Sequence, residues 1–229
     1  MAGESLVVPV SAGVLLFDPE RGAEQIIELD VPGSAVAADG QLLDAFDGGL
    51  SSYLAWEAAA GVLSARIEAS PADPSPATTF AELAYSSGRF DRIVDVADRA
   101  IAAIEGMSEP VAREGARSRL FSSLREMIEA SQRRWAEPAD NAQGAPVITD
   151  AGLLREILDR VSMLARVPDE RVAALLARGR FAEAAGRPGE ALEAYQAVLA
   201  DRDLSAANWR GSGLSVRAEL EASRRLDGL

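Results

Sequence analysis

Short apolar runs separated by turn residues fill the first 49 positions, and a three-to-four-residue apolar period takes over from residue 50. Leu6-Val7-Val8-Pro9-Val10 is followed by Ser11-Ala12-Gly13, and Gly13-Val14-Leu15-Leu16-Phe17 by Asp18-Pro19-Glu20-Arg21-Gly22. In that second turn proline presets φ and glycine accepts a positive one. Gln25-Ile26-Ile27-Glu28-Leu29 is a third strand, closed by Val31-Pro32-Gly33. Ala35–Ala38 and Gln41–Phe46 flank Asp39-Gly40, a pair suited to a two-residue hairpin. Runs of this length with a turn between each predict a small antiparallel β meander over residues 1–49.

Beyond it, Tyr53, Trp56, Ala60, Leu63 and Ile67 recur on one helical face until Pro71, Pro74 and Pro76 stop the helix. Phe80, Leu83, Ala84 and Ser87 mark a second helix, with Gly88 placed for a left-handed cap. Ile93, Ala97, Ala100, Ile101 and Ile104 mark a third. Ser108 is placed to cap a long fourth helix with Pro110 in its first turn and Leu120, Leu124, Met127 and Ile128 on its apolar face. After a loop at Glu137–Val147, a fifth helix carries Leu154, Ile157, Leu158, Val161 and Leu164. Pro168 opens a sixth with Val172, Leu175 and Leu176. Ala191, Leu192, Tyr195, Val198 and Leu199 give a seventh, and Ser205–Leu226 an eighth. The expected fold is therefore mainly α, with a helical domain over residues 50–226 of about eight helices.

The helical part repeats itself. Ala81 and Gly115, Leu175 and Trp209, and Gly179 and Gly213 are each 34 residues apart. A shift of 98 lays Ala81–Ile101 on Gly179–Leu199, with Gly88-Arg89 falling on Gly186-Arg187 and Ala97 on Tyr195. That shift is four short of three 34-residue units, so an indel lies between the two copies, near the Glu137–Val147 loop. Glycine or alanine where two helices cross allows close approach, and a residue such as Tyr195 fills the gap beside it. A hairpin of this size leaves an apolar face that a neighbouring hairpin must cover.

Gly179, Gly186, Ala191 and Tyr195, and less closely Ala81, Gly88, Ala97 and Ala100, resemble the tetratricopeptide repeat (TPR) family. Trp209 with Gly213 would begin a further unit, and Pro71 fits the proline that ends a preceding one. The resemblance spans roughly residues 50–226 and implies a TPR-like α-solenoid of antiparallel helical hairpins. The alternative is an irregular helical bundle with accidental spacing. Gly13-Val14-Leu15-Leu16-Phe17-Asp18-Pro19-Glu20-Arg21-Gly22 is similar to one blade of pyrroloquinoline-quinone-type β-propellers. The family's tryptophan after the turn is replaced here by the Ile26-Ile27 region, so quinone binding does not follow.

Composition narrows the chemistry. The 229 residues include no lysine, histidine or cysteine, and all 23 basic residues are arginine. An imidazole base, a thiolate nucleophile, a disulfide, a nitrogen- or sulfur-ligated zinc site, a Schiff base and a lysine-bearing phosphate loop are all excluded. A net charge of −13 argues against nucleic acid and against an anionic membrane surface. Nine acids and one arginine place −8 of that charge in residues 1–49. Abundant alanine and arginine fit a GC-rich genome, and a lysine-free acidic surface also fits high salt. Neither a secretory leader nor an apolar run of membrane-spanning length is visible. A complete chain is accordingly expected in the cytoplasm, and a piece of a longer one in the periplasm or outside the cell.

Candidate chemistry is sparse. Asp91, Asp95 and Asp98 share a helical face, but Arg92 and Arg99 interleave and Asp95–Arg99 has ion-pair spacing. Asp201-Arg202-Asp203 lacks the further ligands of a calcium loop, and Gly211-Ser212-Gly213 lacks the third glycine and preceding strand of a phosphate cradle. Arg113 with Arg117, and Arg217 with Arg224 and Arg225, form basic stripes among acids; these are expected as solvent-facing ion pairs with some capacity to grip a partner carboxylate. No catalytic, cofactor-binding or metal-binding residue is singled out. The repeat resemblance implies that the first helix of each hairpin faces a concave, partner-binding surface, on which Thr78, Glu82, Tyr85, Ser86, Arg180 and Glu183 would lie. The lysine, asparagine and arginine clamp of chaperone-tail binders is absent. The expected function is a non-enzymatic scaffold for a peptide or partner protein. The alternative is a fragment or relative of a larger bacterial quinoprotein-like β-propeller/TPR protein with an envelope role, in which an open edge of the N-terminal strands would promote self-association.

Overall fold

The computed structural model describes the backbone of residues 6–10, 13–18, 23–28, 34–38, 41–46, 49–54, 56–136, 147–211 and 214–229, and the side chains of 56–133, 147–208 and 216–229. The chain divides into two compact units, Met1–Ala65 and Arg66–Leu229. It is mainly helical.

In the first unit, β1 (Leu6–Val10), β2 (Gly13–Asp18) and β3 (Ala23–Glu28) form one antiparallel sheet, and β4 (Ser34–Ala38), β5 (Gln41–Phe46) and β6 (Gly49–Leu54) another. Pro9, which has no N–H to donate, lies on β1, whose described pairing is with β2 alone. The two sheets share one register. Adding 28 to both partners turns Leu6↔Phe17 into Ser34↔Ala45 and Val10↔Gly13 into Ala38↔Gln41. The third strands correspond with a shift of 26. Gly49–Leu54 is thus a strand where helical periodicity was expected to begin, and Tyr53 belongs to it rather than to a helix stripe. The Asp39-Gly40 turn lies outside the described residues.

Helix α1 (Trp56–Ala69) spans the division between the units. The second unit continues with α2 (Ser75–Ser86), α3 (Ile93–Gly106), α4 (Pro110–Ala136), α5 (Ala151–Leu164), α6 (Pro168–Ala184), α7 (Pro188–Ala200), α8 (Arg202–Ala206), the hairpin β7 (Asn208–Gly211) and β8 (Leu214–Arg217), and α9 (Ala218–Leu226). The helix starts follow side-chain chemistry. Asp150 accepts from the N–H groups of Gly152 and Leu153, and Asp201 from those of Asp203 and Leu204. Glu109, not Ser108, caps α4, its carboxylate accepting from Val111 and Ala112 N–H. These bonds hold the Glu109 carboxyl below its ordinary range.

The single helix expected over Ser205–Leu226 is broken. Residues 208–211 pair with 214–217 as a hairpin, so Trp209 lies on a strand and does not open another helical unit. Each glycine inside a helix costs about 1 kcal/mol relative to alanine. Gly211, at the end of β7, therefore weighs against a continuous helix; Ser212 and Gly213 lie outside the described residues.

Substantial helix contacts join neighbours along the chain (α2 with α3, α4 with α5, α5 with α6, α6 with α7) and next neighbours (α2 with α4, α3 with α5, α4 with α6, α7 with α9). The core in between is built from Leu120, Leu124 and Ile128 of α4, Leu154, Ile157, Leu158, Val161 and Leu164 of α5, and the small residues Ala81, Ala84, Ala97 and Ala100 of α2 and α3. Leu192, expected on the apolar stripe of α7, is 42% exposed. Among the described residues no helix is long and apolar enough to cross a membrane.

Candidate functional site

Two helix exits 98 residues apart have the same geometry. Gly88 and Gly186 both adopt φ +67°. Arg89 N–H donates to Ala84 O, and Arg187 N–H to Ala182 O, each at 2.8 Å. Gly88 and Gly186 donate to Tyr85 O and Glu183 O, each at 3.0 Å. A left-handed glycine lets the chain fold back over the last carbonyls, so α2 and α6 end in the same way; a short 3-10 turn, Phe90–Arg92, then precedes α3, whereas α7 begins at once with Pro188. This turn sets which faces of α2 and α6 point away from their hairpin partners.

On α2 the expected surface residues separate into two kinds. Thr78 is buried, and its hydroxyl donates to Pro74 O at 3.0 Å, so it offers a ligand nothing. Tyr85 is half-buried, its ring 5.8 Å from that of Phe90 and its hydroxyl acidity suppressed by burial. Ser86 is exposed and donates to Leu83 O. Glu82 faces α4: Ser123 Oγ donates to Oε1 at 2.6 Å and Arg119 Nη2 to Oε2 at 3.2 Å, while the same guanidinium reaches Thr79 Oγ1. The side chain of Glu82 stays 38% exposed, so an incoming cationic group could compete with Arg119.

The two α6 residues are tied into a polar cluster with α7 and α9. Glu183 accepts from Tyr195 Oη at 2.8 Å and from Arg225 Nη1 at 3.0 Å. Arg180 lies 3.6 Å from Glu221, a buried carboxylate that also takes hydrogen bonds from Arg224 and Arg225. Burial works to raise the Glu221 pKa, but the hydrogen bonds from Arg224 and Arg225 outweigh it and hold the group below its ordinary range. Burial, with the like charge of Arg225, lowers that of Arg180. Burial, then the bond to Glu183, raises that of Tyr195. Arg180 and Glu183 are thus spent largely on holding α9 to the hairpin. Between Glu82 and this cluster, Gln132 of α4 donates to Ala177 O at 2.7 Å. Among the described residues, Gln132 Oε1 and Arg125 Nε are buried without a hydrogen-bond partner.

The acidic face of α3 is also committed. Asp98 receives both Nε and Nη2 of Arg160 at 2.9 and 2.8 Å, and Asp95 lies 3.4 Å from Arg99. Of the basic stripe at Arg113 and Arg117, Arg113 is exposed as expected, but Arg117 does not face solvent: it is only 5% exposed. It donates to both oxygens of Glu170 at 2.8 Å, to Glu114 and to Leu164 O, linking α4 to the α5–α6 turn. Glu170 also accepts Arg166 N–H, so one carboxylate both starts α6 and neutralises Arg117.

Arg119, Ser123 and Gln132 carried no signal in the chain, because their partners are 37 to 45 positions away. Glu221 with Arg224 and Arg225 did carry one, the three- and four-residue spacing of helix ion pairs. The chain matches no known family model, no curated protein and no solved structure.

Proposed function

We propose that this protein is a non-enzymatic interaction module, a TPR-like solenoid of antiparallel helical hairpins that binds a peptide or partner protein along the inner faces of α2, α4 and α6. The observation that carries the reading is the matched pair of turns at Gly88 and Gly186, with the same φ and the same hydrogen bonds at the 98-residue shift. Contacts confined mainly to neighbours and next neighbours support serial stacking. The site on this reading is Glu82 and Ser86 with Arg119 and Ser123, which remain reachable, rather than Thr78, Arg180 and Glu183. The test is selection of a displayed random-peptide library on the full chain. Enriched peptides should lose binding to Glu82→Gln and Ser86→Arg variants while binding Arg202→Glu normally, and the exposed Ser86 and Arg202 variants should keep the wild-type melting temperature. No enrichment, or binding indifferent to the α2 variants, would overturn it.

The 28-residue recurrence of strand pairing favours a second reading for the first unit. On that reading β1–β3 and β4–β6 are successive blade-like units of an antiparallel meander, and the chain is related to a larger bacterial propeller/TPR protein with an envelope role. Strands paired on one side leave edges that recruit another strand. Concentration-dependent association in size-exclusion chromatography, abolished by Val8→Pro on β1, supports this reading. A monomer at all concentrations counts against it.

A further inference from the structure

Away from the inner faces, a pocket of about 580 Å³ opens between the last turn of α3, the first turns of α4 and the last turn of α5. Its walls are apolar: Ile104 and Leu164 are buried, Ile101 is half-buried, and Met163 forms a lip that is 61% exposed. Its floor is rigid, because the Arg117 guanidinium is held by Glu114, Glu170 and Leu164 O. Such a floor cannot turn outward to meet a ligand, nor collapse to fill the space.

The rim carries the charge. Arg113 and Arg166 line the pocket, and among the described residues neither guanidinium has a hydrogen-bonded or ion-paired acid. Both act on one point. The Glu114 carboxyl is held below its ordinary range first by its hydrogen bond from Arg117, with smaller contributions from Arg166 and Arg113. Glu114 is already taken by Arg117, which leaves Glu105 as the remaining acid lining the pocket. Acids outnumber bases 36 to 23 in this chain, yet this opening is lined by three arginines, Arg113, Arg117 and Arg166, against two acids, Glu105 and Glu114, which runs against its general charge.

We propose that this pocket is a second binding site, which takes the C-terminal end of a partner polypeptide: a bulky apolar last residue against Ile101, Ile104 and Met163, and its free carboxylate between Arg113 and Arg166. Guanidinium forks suit a carboxylate better than any other common surface anion donor, since two parallel N–H groups meet two oxygens. The size fits a side chain and its carboxylate, at the lower middle of the range for ligand clefts. The occupant is a chain end rather than a free fatty acid, because the apolar lining is limited to Ile101, Ile104, Met163 and Leu164 beside five charged side chains, which matches one side chain and its carboxylate. The site is independent of the inner-face reading and survives its failure.

The experiment titrates the full chain with four fluorescently labelled hexapeptides, acetylated or dye-capped at the N-terminus and ending in Leu, Ile, Phe or Ser, each as the free acid and as the amide. Decanoate serves as competitor. The apolar-ended acids should bind, with affinity falling about tenfold or more on amidation, on changing the last residue to Ser, and in Arg113→Glu/Arg166→Glu. Met163→Glu, on a largely exposed side chain, should weaken binding without altering the melting temperature. Equal binding of acid and amide, or indifference to the double variant, overturns the carboxylate grip. Absence of binding by every free acid overturns the site. Decanoate binding as tightly as the peptides overturns the choice of a chain end.

Discussion

A β-carbon on Gly179 would stand 2.3 Å from Cε1 and 2.5 Å from Cζ of Tyr195. The Tyr195 ring is fully buried and its hydroxyl is anchored on Glu183, so it has nowhere to retreat. This contact joins α6 to α7. Gly179→Ala is therefore expected to destabilise by about 1–3 kcal/mol, even though alanine favours a helix by about 1 kcal/mol. Urea unfolding followed by circular dichroism measures it, and a neutral or stabilising result would show that the ring can shift.

Tyr195→Phe keeps the ring and removes the hydroxyl. It should cost roughly 1–2 kcal/mol, because Glu183 loses a donor while keeping Arg225. Combined with Gly179→Ala the losses should not add, since both act on one ring. A double-mutant cycle gives the coupling.

Gly88 and Gly186 make a different test. A β-carbon at either meets nothing within 4 Å, yet both have φ +67°. Alanine at either position should cost about 1–2 kcal/mol through backbone strain alone, and asparagine, which tolerates this conformation better, should cost less. Equal losses at the two positions are expected from their matched hydrogen bonds.

Arg117→Met removes a buried cation and leaves Glu170 with its backbone donors only. A loss of about 3–5 kcal/mol is expected at neutral pH. Acid should reveal the same pair. Burial works to raise the Glu170 pKa, but the hydrogen bonds from Arg117 and the Arg166 backbone outweigh it, so the native value lies below the unfolded one. Stability from such a group is complete above the unfolded value of about 4.3 and is lost as pH falls through the native value. The advantage of the wild type over Glu170→Gln should therefore shrink steadily below about pH 4. A constant difference down to pH 2 would mean the bond survives protonation.

The Asp98–Arg160 bridge gives the contrast. It has good geometry, at 2.8 and 2.9 Å, but Asp98 is half exposed. Asp98→Asn should change stability by less than about 1 kcal/mol, and less still in high salt.

Local rules carried far along this chain because they act between near neighbours. The apolar period marked the buried faces of α4 and α5, where Leu120, Leu124, Met127 and Ile128, and Leu154, Ile157, Leu158, Val161 and Leu164, are all buried. Prolines and glycines marked ends: Pro110 and Pro168 open helices, and Gly88 and Gly186 close them with positive φ. The same rules failed where two local preferences competed. Residues from 50 onward and 205–226 are read as helical from the chain, but 49–54, 208–211 and 214–217 are strands, decided by pairing with a neighbour.

What the amino-acid order determined was the helical class, most of the helix limits and the exclusion of histidine, cysteine and lysine chemistry, since backbone preference and side-chain inventory are properties of short stretches. The tertiary structure decided what each charged residue is for. Arg117 looked like one of two stripe arginines, but only folding puts Glu170, 53 positions on, beneath its fork, while Arg113 is left at a pocket mouth. Arg180 and Glu183 were placed on an open face until α9 returned to cover them. Electrostatic pairing depends on distances between elements, and those are settled by packing rather than by spacing along the chain.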